Sequence, residues 1–325
     1  MDTKRKDKLL KIYDEISDDR ERYIKLYKST DEFQFELEKM FDTHINVQAT
    51  QDKQIDVCLK LLPLKAQTQI VHLGYMEAIR SNDYSYLNKA LNTYSKLKMI
   101  VILQTSSDHC YFSLDQVPYL FVLKKFDLLE KIYPKDCGLS KAKIWGGIVT
   151  NLIMYLYYRE ESWKEQALND ADKYLSRKSP LEYHTIAEAL VALVNKDFEQ
   201  FSLSLNDICK GRKKSKEFGE NKFSRSVSFY SLGLYNFAQY LYPDESNKIT
   251  LPDDDAFLTD YHLYQESHDS LDDGYIINFN EKLSLLKAMF EVDTPCISLT
   301  KNNGRLAVDY ISYNDAVIKK IKALL

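Results

Sequence analysis

Glycine and proline are scarce in this chain of 325 residues: 9 of the first and 7 of the second, about 2.8% and 2.2%, against usual shares of roughly 7% and 5%. β-Sandwiches, barrels and propellers place those residues at their many tight turns. Their shortage excludes such folds and points to helices. Cysteine is sparse too. Cys58, Cys110, Cys137, Cys209 and Cys296 are odd in number and form no CxxC pair, which suits reduced thiols serving as small apolar side chains better than a disulfide framework.

Long apolar runs are also missing. The most apolar stretch, Ile144 to Tyr158, has 15 residues, short of the roughly 18–20 that a membrane-crossing helix needs. A buried core helix is the expectation there. The N-terminal MDTKRKDKLLKIYDEISDD carries charges where a secretory signal needs an apolar run of roughly 7–15 residues, so a cytoplasmic location is expected. No excess of positive charge exists either: 44 Lys and Arg face 48 Asp and Glu, a net charge of −4. Without a global basic field, neither nucleic acid nor a membrane is an expected partner.

Catalytic signatures are absent as well. The chain holds no GxGxxG, GxxxxGK[ST], GxSxG or HExxH. His44, His72, His109, His184, His262 and His268 stand apart, with no two at i, i+3 or i+4. His262 and His268 share an acidic segment with Asp260, Glu266 and Asp269, but the fixed spacing of a metal site does not recur, and they read as solvated side chains. Adjacent His109 and Cys110 carry little weight as base and nucleophile, because such pairs are assembled in space rather than in sequence. The runs Asp253-Asp254-Asp255 and Leu271-Asp272-Asp273-Gly274 lack the alternating ligands and twelfth-position Glu of an EF-hand. No catalytic residue, metal or cofactor is expected, and the chain reads as a non-enzyme.

What is present is helical. With 45% hydrophobic and 28% charged residues, the chain can bury a sizeable core. Apolar positions fall at helical spacing: Leu9, Ile12, Tyr13 and Ile16, then Phe33, Leu37, Met40 and Phe41. Ser17-Asp18-Asp19 and Ser29-Thr30-Asp31 read as helix starts, with Thr30 placed to cap the second.

One pattern recurs in LYKSTDEFQFEL (26–37), AIRSNDYSYLNKAL (78–91) and ALVNKDFEQFSLSL (192–205). Each has an apolar helix end, a short polar turn, an acidic residue (Asp31, Asp83, Asp197), an aromatic, then a new apolar stripe. That is the grammar of an αα-hairpin, and FVLKKFDLLEKI (121–132) is a looser copy. The copies are irregularly spaced, so the expected fold is all-α: an irregular stack of antiparallel hairpins, tetratricopeptide-like without that repeat's period.

One domain is expected over 1–325, with a helical N-terminal extension at 1–60, a core at 139–252, one long acidic loop at 243–274 and C-terminal helices at 275–325. Within the last part, Val308 to Tyr313 alternates like a short strand.

Charge is distributed unevenly. Asp244 to Asp273 holds ten acidic residues and one basic, Lys248, a net −9, whereas Lys210 to Arg225 holds seven basic and two acidic, a net +5. Asp244, Glu245, Asp253, Asp254, Asp255 and Asp260, interleaved with Phe257, Tyr261 and Tyr264, form a candidate partner surface: carboxylates to meet a basic patch and aromatic rings to anchor it. A charge run is equally the mark of a solvated, solubilising loop. Tyrosine is abundant, 24 residues; most sit inside helical stripes and read as core residues with the hydroxyl at the rim.

Residues 162–252 resemble the all-helical immunity protein 49 family of bacterial polymorphic-toxin immunity proteins. The likeness rests on Trp163, Asp197, Phe201, Leu232-Gly233-Leu234 and Leu251-Pro252; Cys209 stands where the family often has His. It implies a cytoplasmic, non-catalytic protein that binds and neutralises a cognate toxin, and the acidic run would cover a basic cleft of that toxin. The alternative from the hairpin grammar alone is a helical-repeat scaffold or adaptor that holds a peptide or protein partner.

Overall fold

A computed structural model describes residues 3–18, 26–64, 68–102, 107–215, 221–268, 271, 274–302 and 304–325. The chain is all-α, about 71% helical, with 16 α-helices and one two-stranded sheet among the described residues. The helices are α1 (Thr3–Asp18), α2 (Thr30–Met40), α3 (Gln51–Leu61), α4 (Gln69–Ser81), α5 (Ser85–Ile100), α6 (Phe112–Asp115), α7 (Val117–Val122) and α8 (Leu129–Ile132). After them come α9 (Trp145–Tyr158), α10 (Glu161–Leu175), α11 (Leu181–Val194), α12 (Phe198–Lys213), α13 (Phe229–Leu241), α14 (Thr259–Glu266), α15 (Ser284–Glu291) and α16 (Tyr310–Leu324). Before α16, β1 (Leu299–Asn302) pairs antiparallel with β2 (Arg305–Val308).

Backbone contacts group the chain into two compact units: residues 1–103, 259–295 and 310–325, and residues 104–258 and 296–309. Residues 1–60 belong to the first unit and residues 139–252 to the second.

In the first unit, Tyr13, Phe33, Phe41, Leu73, Leu91, Tyr261, Leu286 and Val317 are buried. α4 and α5 form an antiparallel hairpin that packs tightly at Gly74: a Cβ there would lie 2.2 Å from Ala90 Cβ. The turn between them is the one the sequence pattern describes. Asn82 takes a left-handed conformation (φ 57°) and Asp83 Oδ1 accepts from the Ser85 N–H at 2.9 Å. The pattern at 26–37 is different: Leu26–Lys28 are not helical, and Ser29, not Thr30, caps α2 by accepting from the Glu32 N–H at 3.2 Å. Ser17 and Asp18 end α1 rather than start a helix.

In the second unit, Phe112, Phe121, Leu152, Ile153, Leu190, Phe201, Leu205 and Phe237 are buried. The apolar stretch expected to be a core helix is one: from Trp145 through Leu156, α9 is buried. No helix of the described residues is long and apolar enough to cross a membrane. α11 and α12 form the second clear hairpin. Lys196 turns left-handed (φ 55°) and Asp197 caps α12, accepting from the Gln200 N–H at 3.0 Å. Residues carrying the family likeness lie in this packing: Phe201, Leu232 and Leu234 are buried, and a Cβ on Gly233 would stand 2.9 Å from Phe121 Cβ.

The extended segment lies earlier than the sequence alternation indicates. Strands occupy 299–302 and 305–308, and Tyr310 onward is helix, because Tyr313, Val317 and Ile321 recur every four residues on one buried face.

Candidate functional site

The acidic run is not one long loop. Asp244 and Glu245 lie in a 3₁₀-helix, Pro243–Lys248; an extended stretch and a turn follow; then Asp260, Tyr261 and Tyr264 lie in α14. The unit boundary falls inside the run, between Leu258 and Thr259. Asp269, Asp272 and Asp273 lie outside the described residues.

Up to Leu258 the segment is strapped along α12. The Thr250 N–H donates to Ser202 Oγ at 3.0 Å and the Asp253 N–H to Asn206 Oδ1 at 3.0 Å. Further along the helix, Lys213 Nζ donates to Asp254 Oδ2 and to Asp255 Oδ1, each at 2.8 Å. Positions 202, 206 and 213 are one and then about two turns apart, so they fall on one side of the helix. Partial burial alone would lower the Lys213 ammonium, but its hydrogen bonds to Asp254 and Asp255 outweigh that and hold it above the usual lysine range.

Behind the strap, Pro252, Ala256 and Phe257 are buried, Phe257 meets Tyr235 edge-on at 6.4 Å, and the Ser228 N–H donates to the Ala256 carbonyl at 2.8 Å. Asp244 and Asp253 are exposed, and neither forms an ion pair among the described residues. Glu245 lies 4.0 Å from Lys196 Nζ.

Two of the expected aromatic anchors are not available. Phe257 and Tyr261 are 2% and 0% exposed and fill the cores of their units. The Tyr261 hydroxyl donates to Asn88 Oδ1 at 2.7 Å, and Asp260 accepts from the Tyr84 hydroxyl at 3.1 Å. Tyr264 is half-buried, stacked on Tyr261 at 5.8 Å and against His268 at 4.1 Å. The strap therefore offers carboxylates without Phe257 or Tyr261 beside them. Its anchors Ser202, Asn206 and Lys213 leave one signal in the sequence, their common side of a helix that precedes the acidic run.

A second concentration of polar groups lies in the core of the second unit. Asp108 caps the turn His109–Tyr111: its Oδ1 accepts from the Cys110 N–H at 3.0 Å and from Ser140 Oγ at 3.0 Å. Burial alone would raise this carboxyl, yet the Cys110 and Ser140 hydrogen bonds hold it below its usual value. Burial pushes the Cys110 thiol up to about 12, with Asp108 adding to the effect. It also pushes the fully buried His109 imidazole down, against the pull of Asp108 and of the Gly138 backbone.

Deeper still, Ser113 Oγ lies 2.8 Å from the Tyr133 hydroxyl and 2.6 Å from Thr150 Oγ1, and the Tyr230 hydroxyl donates to the Ser113 carbonyl. A protonated thiol beside a sealed imidazole is poorly suited to nucleophilic attack, which requires the thiolate. Among the described residues no group of three or more His, Cys, Asp or Glu side chains is placed to hold a metal ion.

Comparison with protein-family models, with curated proteins and with solved structures finds no match to this chain.

Proposed function

We propose that this chain is a non-catalytic binding protein that covers a basic surface of a protein partner with the strapped acidic segment at 244–255. The observation that carries the reading is the pair of exposed carboxylates, Asp244 and Asp253, without ion pairs among the described residues, on a segment already fixed to α12 by Asn206 and Lys213. A pre-ordered segment loses little conformational entropy on association, and unpaired carboxylates steer a basic partner toward it. The likeness of residues 162–252 to the immunity protein 49 family makes a bacterial toxin the proposed partner and the cytoplasm the proposed place of action.

The test pairs co-expression with kinetics. The chain is produced together with a toxin-like protein encoded beside it, and growth is scored with and without it. Association is then followed for the parent and for Asp244→Asn with Asp253→Asn. Asp254 and Asp255 are left intact because their loss would release Lys213. Rescue of growth is expected, with an association rate about tenfold lower in the variant and a flatter salt dependence. Rescue with unchanged rates would remove the strap as the contact. Failure of rescue, with several host proteins held weakly, would favour the scaffold reading.

A further inference from the structure

In the second unit, three rings near the ends of their helices are covered by a cation of the chain itself. Arg159 Cζ lies 4.7 Å from the centroid of Tyr242, Lys196 Nζ 5.2 Å from the same ring, Lys248 Nζ 5.8 Å from Phe198 and Lys164 Nζ 6.0 Å from Tyr155. Tyr240 and Tyr157 are not covered in this way. Tyr240 is 52% exposed, stacks on buried Phe126 at 4.5 Å and lies 18° from parallel to Tyr157 at 6.4 Å. Among the described residues no cation of the chain sits over either ring. Arg159, the nearest arginine in sequence to Tyr157, is committed to Tyr242, whose hydroxyl accepts from its Nη1 at 2.9 Å.

A carboxylate completes the group. The Tyr157 hydroxyl donates to Glu130 Oε1 at 3.3 Å, and the Glu130 side chain is exposed with no ion pair among the described residues. Tyr158 stands edge-on to Tyr157 at 5.0 Å and is tied down by its hydroxyl, which donates to the Tyr133 carbonyl at 2.8 Å. The platform is therefore built from α8, α9 and α13 around a ring already packed on the core.

We infer that Tyr240, Tyr157 and Glu130 form a binding site for an arginine side chain of a protein partner. A guanidinium is flat, weakly hydrated and always charged. It stacks on an aromatic face and at the same time offers N–H donors to a carboxylate at its edge. A lysine ammonium, being a strongly hydrated point charge, gains less from the flat ring. The site uses residues outside the acidic strap and does not rest on the toxin reading.

The experiment titrates the full chain, with tyrosine rings isotopically labelled, with the blocked peptide Gly-Arg-Gly. The isosteric citrulline peptide, the lysine peptide and adenosine monophosphate are titrated alongside, and shifts of the Tyr240 and Tyr157 ring signals are read by NMR. Saturable binding of the arginine peptide with a Kd on the order of a millimolar is expected, about fivefold tighter than lysine, with no saturation by citrulline. Tyr240→Ala and Glu130→Gln should each weaken it about fivefold, and Tyr240→Phe, which keeps the ring, should stay within about twofold. Equal binding of citrulline, affinity unchanged in both Tyr240→Ala and Glu130→Gln, or absence of saturation would overturn the assignment. So would tighter binding of the nucleotide, which would make the platform a base-stacking surface.

Discussion

The backbone N–H of Asp253 donates to Oδ1 of Asn206 at 3.0 Å, so the middle of the acidic segment hangs from one side chain of α12. Asn206 also donates through Nδ2 to the Ser202 carbonyl at 3.3 Å, which fixes the amide in the orientation that accepts from Asp253. Replacing Asn206 by Ala removes the acceptor and leaves the Asp253 N–H to water, at a cost of about 1 kcal/mol because the site is exposed. The loss should be local. Hydrogen exchange of the amides at 250–256 should quicken about fivefold while the core of α9 keeps its protection. Equal exchange in parent and variant would mean that the strap is held by Lys213 and Phe257 without help from Asn206.

Gly74 sets how closely α4 and α5 approach. A Cβ at that position would stand 2.2 Å from Ala90 Cβ and 2.8 Å from the Tyr86 carbonyl oxygen, both on α5. Neither neighbour is the end of a flexible side chain, so the helices must separate. Gly74→Ala should destabilise the chain by about 2–3 kcal/mol, despite the better helix propensity of alanine. Adding Ala90→Gly should return part of that loss, and urea unfolding of the two variants measures the coupling. A neutral Gly74→Ala would show that the pair repacks freely.

The two hairpins the structure confirms were legible because their turns are local chemistry. Asn82-Asp83-Tyr84 and Lys196-Asp197-Phe198 each place a left-handed residue, an acidic side chain that accepts from the next helix, and an aromatic in consecutive positions. At 26–37 the same letters mislead, since Tyr27 packs on Phe33 at 5.0 Å from a non-helical lead-in and its carbonyl accepts from the Tyr13 hydroxyl at 2.7 Å. The acidic run showed its charge but not its shape. What straightens it is a set of side-chain contacts between residues more than forty positions apart, such as Lys213 to Asp254, and hydrophobic periodicity carries no trace of them. Burial of Phe257 and Tyr261 was hidden for the same reason: an aromatic beside carboxylates looks like an anchor until the core that claims it is known.

His109 gives the fold a pH dependence. Burial holds its folded imidazole below the ordinary value of 6.5, so below about pH 6.5 the unfolded chain binds more protons than the folded one. Stability from this group is complete at neutral pH, declines as pH falls through 6.5, and levels off only beneath the folded value. Urea midpoints at pH 7.5 and pH 5.5 should therefore differ, with the chain weaker in acid, and His109→Gln should reduce that difference whatever it does to the midpoint at neutral pH. An undiminished difference would assign the effect to other titrating groups.

Lys196 takes a left-handed backbone conformation, φ 55°, in the turn that joins α11 to α12. A side chain there crowds the following carbonyl at a cost of about 1 kcal/mol, which glycine avoids, though glycine gives back part of the gain through the freedom of the unfolded chain. The lysine's own contacts are weak: a 4.0 Å approach to Glu245, with the Lys196 side chain 60% exposed, and a place 5.2 Å from the Tyr242 ring that it shares with Arg159. Lys196→Gly should therefore stabilise the chain by about 0.5 kcal/mol and Lys196→Val should destabilise it by about 1–2 kcal/mol, since a β-branched side chain fits this conformation worst. Asn82→Gly, at φ 57°, should change little because asparagine already tolerates the left-handed region. Urea unfolding of the three variants separates backbone strain from contact loss: a Lys196→Gly variant less stable than the parent would show that the ring and Glu245 contacts outweigh the strain.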